Sequence, residues 1–168
     1  MITRSNSNDH KPRVVIVPCS GIGKTYGTVS REAAYEVTEE IRSDETQLVA
    51  LSLLVLGDED ARAAVANNPT ITIDGCKLAC ATKMVQESGG SVAQDYAVLE
   101  VYRRYKQFKP QGIAELNEGG LQLASALAQE IVAEVDRCLS SSDLEAVSSV
   151  GPGDTLSKPV DDEGGQNG

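Results

Sequence analysis

The run Val14-Val15-Ile16-Val17 stands between Pro12 and Pro18, and it limits the fold of this chain more than any other feature. A short continuous apolar run with a breaker at each end reads as a buried strand. Such a strand needs apolar cover, and the segments that follow alternate between helical and extended patterns. Ser30 to Arg42 carries Ala33, Ala34, Val37 and Ile41 at helical spacing, with Ser30 as the N-cap. Leu48 to Leu56 is apolar nearly throughout and stops at Gly57, which predicts a central strand buried on both faces. Asp58 to Ala66 reads as a helix ended by Asn67-Asn68-Pro69, and Thr70 to Ile73 as a third strand stopped by Asp74-Gly75. Cys76 to Glu87 reads as a helix, and Tyr96 to Tyr102, with Val98, Leu99 and Val101, as a fourth strand. Gln107 to Gly119 is broken by Pro110 and Gly112 and takes no clear element. Gly120 to Leu139 is a long amphipathic helix with Leu123, Leu127, Ile131 and Val135 on one face. The alternation predicts a three-layer α/β domain, with a mainly parallel sheet of about four strands and helices on both faces.

The domain is expected over residues 13–139, between a flexible leader at 1–12 and a disordered acidic tail at 140–168 rich in Gly, Pro, Asp and Ser. With no Trp and one Phe, the core must be built from aliphatic side chains. The net charge is −10, and half of it lies in the tail, where six acids face Lys158 alone. That balance argues against nucleic acid and anionic membranes as partners, since both attract an excess of Lys and Arg. No apolar run approaches the roughly 18 residues of a membrane span. The polar N-terminus has no signal-peptide core, so a cytoplasmic location is expected. Thiols stay reduced there, and the four Cys need not form disulfides. The single His, His10, lies in the polar leader, which removes most His-based catalysis and metal binding. Chemistry, where there is any, is left to cysteine.

In parallel sheets ligands sit at the carboxyl ends of strands. The first strand runs into Pro18-Cys19-Ser20-Gly21, the second into Gly57-Asp58 and the third into Asp74-Gly75-Cys76. Cys76 and Cys80 are four apart and would share a face of one helix, with Cys76 in its first turn. Cys19 would approach from the neighbouring strand end. Three thiolates suit zinc or another soft ion. The C-x₃-C spacing is not that of zinc ribbons or thioredoxin-like motifs, and the competing reading makes each Cys a small buried hydrophobe. Cys138, near the end of the last helix, reads as packing. Ser20-Gly21-Ile22-Gly23-Lys24-Thr25 sits between a strand and a helix, the context of a phosphate loop. Pro18 stands where the first Gly of that pattern belongs, and a proline has no N–H to offer a phosphate. Looser anion binding by Ser20, Gly21, Gly23 and Lys24 is the remaining reading of the loop. Tyr102-Arg103-Arg104-Tyr105-Lys106 reads as a solvated basic patch.

Two stretches resemble the DGC-domain family, whose members are inferred to bind zinc. One runs from Val17-Pro18-Cys19-Ser20-Gly21 through Gly27-Thr28-Val29-Ser30-Arg31-Glu32-Ala33-Ala34-Tyr35. The other is Ile73-Asp74-Gly75-Cys76 with Cys80. The resemblance spans about Val14 to the last helix and implies a metal site with Cys ligands, without implying a reaction. The family's pattern has a further Cys near the end of the second strand, where this chain reads Leu51-Ser52-Leu53-Leu54-Val55-Leu56-Gly57-Asp58. The fourth ligand would then be Asp58, Asp74, water or a substrate thiol, and an open position would favour catalysis or transport over a closed structural site.

The leading expectation is therefore a zinc-binding protein with Cys19, Cys76 and Cys80 as ligands and Asp74 as their orienter, able to take a small-molecule or thiol ligand and to support thiol or group transfer. Two alternatives stand beside it. One is a metal-free thiol redox or sulfur-carrying protein using Cys76 or Cys80. The other is an anion- or nucleotide-binding module built on the Gly-rich loop.

Overall fold

The computed structural model describes residues 13–19, 21 and 23–148, with residues 142–148 described by backbone alone. The expected leader and residues 149–168 of the expected tail lie outside the described residues. The elements run β1 (Val14–Pro18), α1 (Thr25–Tyr35), β2 (Thr46–Leu48), α2 (Leu51–Leu56), α3 (Glu59–Asn67), β3 (Thr70–Asp74), α4 (Cys80–Glu87), β4 (Val92–Ala97), α5 (Val98–Arg104) and α6 (Glu118–Ser148). A π-helical turn, Glu36–Ile41, prolongs α1. The four strands form one parallel sheet in the order β2-β1-β3-β4.

The strand order explains the layers. From β1 the chain crosses to β2 on one side, then returns past β1 to β3 and β4 on the other. Right-handed crossovers in opposite directions must lie on opposite faces. So α1, α5 and α6 cover one face, where Val14, Ile16, Ile71 and Ile73 meet Val29, Val37, Leu123, Leu127 and Ile131. The other face carries α2, α3 and α4, whose Leu51, Leu54, Ala61, Val65 and Val85 pack on Val15 and Val17. Consecutive residues of β1 thus point into two different cores, and this is why the run is apolar at every position. Each fully buried aliphatic side chain contributes about 1.5–3 kcal/mol by leaving water.

Several local expectations fail, each for a physical reason. Leu48 to Leu56 is not a central strand. It holds the end of a three-residue edge strand, β2, and then the helix α2. A continuous apolar run this long carries no period that separates strand from helix. Gly57, at φ +77°, ends α2 with its N–H donating to the Leu54 carbonyl at 3.1 Å. Only Leu51 and Leu54 of this helix are buried; Val55 and Leu56 are 66% and 80% exposed. Of the expected strand Tyr96 to Tyr102 only Tyr96 and Ala97 are extended: β4 is Val92–Ala97, and Val98 and Val101 belong to α5, three apart on its buried side. As an edge strand β4 shows only partial burial, so its sequence lacks a strong apolar signal.

Ser30 is not an N-cap. It is buried inside α1, where its hydroxyl donates to the Ile73 carbonyl at 2.7 Å and ties the helix to β3. Helix α1 begins five residues earlier than expected, at Thr25. The broken stretch before α6 ends at Asn117, whose Oδ1 accepts from the N–H of Gly120 at 2.8 Å and of Gln111 at 2.9 Å. Helix α6 then continues past Leu139 to Ser148. Among the described residues, no helix is long and apolar enough to cross a membrane.

Candidate functional site

β1 and β3 are neighbours, yet their connections leave in opposite directions, towards β2 and β4. That divergence opens a crevice beyond their carboxyl ends, the usual ligand position in sheets of this kind. Cys19 follows β1 directly; it is 8% exposed, and its N–H donates to the Ile73 carbonyl at 2.8 Å. Cys76 follows β3 after Gly75 and is half-buried. Both residues therefore sit on the two loops that flank the crevice.

The loops are drawn together by backbone contact. A Cβ on Gly21, which holds φ +52°, would fall 2.1 Å from Cα of Gly27 in α1. A Cβ on Gly75 would lie 3.0 Å from the nitrogen of the same Gly27. Three chain segments meet with no side chain between them: the loop after β1, the first turn of α1 and the loop after β3. Glycine is required where backbones approach this closely.

Asp74 fixes the far side of the crevice. It is 4% exposed at the end of β3. Its Oδ1 accepts from the N–H of Ala81 at 2.9 Å, and its Oδ2 accepts from the N–H of Thr82 at 3.1 Å and the Thr82 hydroxyl at 2.8 Å. The single hydroxyl hydrogen of Thr82 is used in donating to the carboxylate, so Thr72 must be the donor in the 2.7 Å contact between the two hydroxyls. The result is a directed chain, Thr72 to Thr82 to Asp74, that seats the first turn of α4. A buried carboxylate at a helix N-terminus is also favoured by the helix dipole.

This network corrects the expected helix over Cys76 to Glu87. Helix α4 starts at Cys80, after Ala79 in a left-handed conformation at φ 53°. Cys76 lies in the preceding turn, where its carbonyl accepts from the N–H of Ala79 at 3.2 Å. The two thiols therefore do not share one helix face. Cys80 is exposed, at the first position of α4.

Cys19, Cys76 and Cys80 occupy one end of the sheet, all as free thiols. Among the described residues, no three His, Cys, Asp or Glu side chains are gathered closely enough to cage an ion. Both Asp74 oxygens already accept hydrogen bonds from α4, whereas the three cysteines are free thiols. Asp58 is exposed and caps α3 through Oδ1, which accepts from the N–H of Ala61 at 2.8 Å; α2 separates it from the end of β2. A set of thiols without carboxylates matches a soft ion such as zinc. In the Gly-rich loop, Gly21 is used for the close approach to α1, and Lys24 is exposed with its N–H donating to the Gly21 carbonyl at 3.1 Å. Gly23, at φ +76°, is exposed, while Ser20 lies outside the described residues. Cys138 packs at the edge of the α6 core, lining a cavity with Pro69 and Ser91 at the amino ends of β3 and β4.

A cavity of about 460 Å³ opens beside Cys19. Pro18 and Cys19 form one wall, Arg31 and Tyr35 of α1 another, and Leu48, Ala50, Leu51 and Ser52 a third. Arg31 and Tyr35 carry no role in the reading of the residues themselves. With α1 beginning at Thr25, both fall on the side of α1 that faces the loop after β2, a placement that becomes legible only once the helix start is known.

No curated protein and no solved structure matches the chain. The DGC domain matches residues 15–119, more than half of the chain, from β1 through the crevice to the start of α6. The resemblance carried by Cys19, Asp74-Gly75-Cys76 and Cys80 is therefore a family relationship: the chain belongs to the DGC-domain family.

Proposed function

We propose that this protein binds one soft metal ion, zinc by the chemistry of its donors, through Cys19, Cys76 and Cys80. The observation that carries this reading is three free thiols at one end of the sheet, Cys19 and Cys76 on the loops beside the crevice where the β1 and β3 connections part and Cys80 at the start of α4, which Asp74 holds. Asp74 acts as the orienter of α4 and hence of Cys80. The turn between Cys76 and Cys80 is the part that must adjust when an ion binds. When bound, the ion supplies Lewis acidity that lowers the pKa of a ligated water or thiol, which suits thiol or group transfer. Three thiolates make at most one site, so about one zinc per chain is expected in protein purified without chelator. Cys76→Ser and Cys80→Ser should each lose it. Metal analysis that finds none in the wild type overturns the reading.

The exposure of Cys80 and the open spacing of the three thiols favour one second reading, a metal-free thiol carrier or redox protein using Cys80 or Cys76. Alkylation rate against pH separates the two. Fast labelling of Cys80 in protein shown to hold no metal supports the carrier; protection of Cys80 that a chelator abolishes supports the ion.

A further inference from the structure

The geometry points to the cavity beside Cys19 as a binding site for a small organic acid, with Arg31 holding its carboxylate and an apolar body lying against Leu48, Leu51, Tyr35 and Pro18. This deepens the reading of a thiol site that takes a small-molecule ligand, because Cys19 is shared between the two. The volume, about 460 Å³, falls within the range of small-molecule sites. Its walls are mainly apolar and include four residues with polar side chains: Cys19, Arg31, Tyr35 and Ser52. One cation on an apolar wall selects an anion with an apolar body. A carboxylate suits it better than a phosphate, because a doubly charged, strongly hydrated group would lose more solvation against those walls.

Arg31 is also set in place from behind. The hydroxyl of Thr28, a residue 1% exposed, donates to the Ile113 carbonyl at 2.6 Å and accepts from Nη2 of Arg31 at 3.2 Å. The guanidinium is thus anchored through a buried hydroxyl to the segment before α6. Its planar fork of five donors can hold several partners together, and it matches a carboxylate with two parallel hydrogen bonds. Tyr35, one turn further along α1, is 38% exposed and forms the outer apolar lip.

The test is a titration of isotope-labelled full-length chain with hexanoate and with hexanol, following the backbone amides of Cys19, Tyr35 and Ser52 by NMR. The two probes share an apolar body and differ in the carboxylate. In chelator-treated wild type, hexanoate should bind about tenfold more tightly than hexanol, the ratio that one charge-assisted pair supplies. Arg31→Gln should bring the two to equal affinity, and Arg31→Lys should keep part of the preference. Equal affinity of the two probes in the wild type overturns the inference, as does a hexanoate preference that survives Arg31→Gln. If Arg31→Gln does not fold, the wild-type comparison and Arg31→Lys decide. A zinc-loaded arm separates this inference from the metal reading. A preference that appears only with zinc and persists in Arg31→Gln places the carboxylate on the ion: the inference then fails and the metal reading stands. A preference that depends on Arg31 in protein that takes up no zinc has the opposite meaning.

Discussion

The two ends of the sheet both carry a cavity and a cysteine, and they are built differently. At the carboxyl end, Cys19 and Cys76 ride on loops, and those loops are held by glycine backbone contact and one buried carboxylate. At the amino end, Cys138 rides on the regular helix α6 and packs at the edge of a core. There the cavity is larger, about 650 Å³, and is lined by Asn67, Asn68, Glu134 and Arg137 among others. Both cysteines line their cavities, so contact with a cavity does not by itself separate the two. The difference lies in what fixes each thiol: at the carboxyl end, contacts between separate chain segments hold the loops that carry the cysteines. At the amino end a helix face packed on a core carries the thiol.

The comparison is broken most severely by a Cβ in the carboxyl-end contact. Gly21→Ala puts a methyl 2.1 Å from the Gly27 backbone at a positive φ, so neither rotamer change nor a small shift relieves it. A loss of about 4 kcal/mol is expected from overpacking and the left-handed conformation together. Gly89, in the turn between α4 and β4, also has a positive φ, but a Cβ there meets nothing within 4 Å. Gly89→Ala should cost about 1–2 kcal/mol, the conformational part alone. Urea denaturation of both variants measures the difference; equal losses would show that the glycine contact does not hold the loops.

A smaller effect is expected at the two capping carboxylates. Asp74→Ala leaves two backbone N–H groups and the Thr82 hydroxyl without their acceptor in a buried place, and should cost about 3 kcal/mol. Asp58→Ala removes an exposed cap with one acceptor contact and should cost about 1 kcal/mol. Zinc content sharpens the contrast: it should fall in Asp74→Ala, whose α4 start is loosened, and be retained in Asp58→Ala. Retention in both variants would separate Asp74 from the thiol site.

The same contrast governs what could be read from the sequence. β1 and β3 are buried on both faces by side chains from distant parts of the chain; an unbroken apolar run announces the first, and β-branched Thr and Ile stopped by Asp74-Gly75 announce the second. Helix α6 announces itself through Leu123, Leu127, Ile131 and Val135. The edge elements do not. β2 and β4 bury little, so α2 takes the apolar run that a strand was expected to use, and α5 takes the residues after β4. At the site, Cys19 and Cys76 follow from strand ends, which local sequence marks well. The start of α4 does not follow, because it depends on Ala79 entering the left-handed region and on Asp74 reaching across seven and eight residues. Arg31 was hidden in the same way, since its wall position depends on where α1 begins, and that is set by Gly21 packing on Gly27.

The smallest expected effect lies at the amino end, in the pH dependence of stability. Burial first, and then the Glu134 carboxylate, push the Cys138 thiol above its ordinary value of 9.0, against a smaller opposing pull from Arg137. The folded protein therefore favours the protonated thiol more than the unfolded chain does. The stability this contributes is fully present below the unfolded value and is lost as pH rises through the higher folded value. Tyr96 has the same sign, pushed up to about 12 by burial and then by Glu134 and Glu130. Its contribution is lost at still higher pH and is common to wild type and variant. Cys138→Ala should thus show a shallower decline in stability above pH 9 than the wild type, measured by urea denaturation at a series of pH values, with zinc content unchanged at all of them. An unchanged slope would mean that the thiol at this end is as solvated as an ordinary one, and that its packing at the edge of the α6 core does not withdraw it from water.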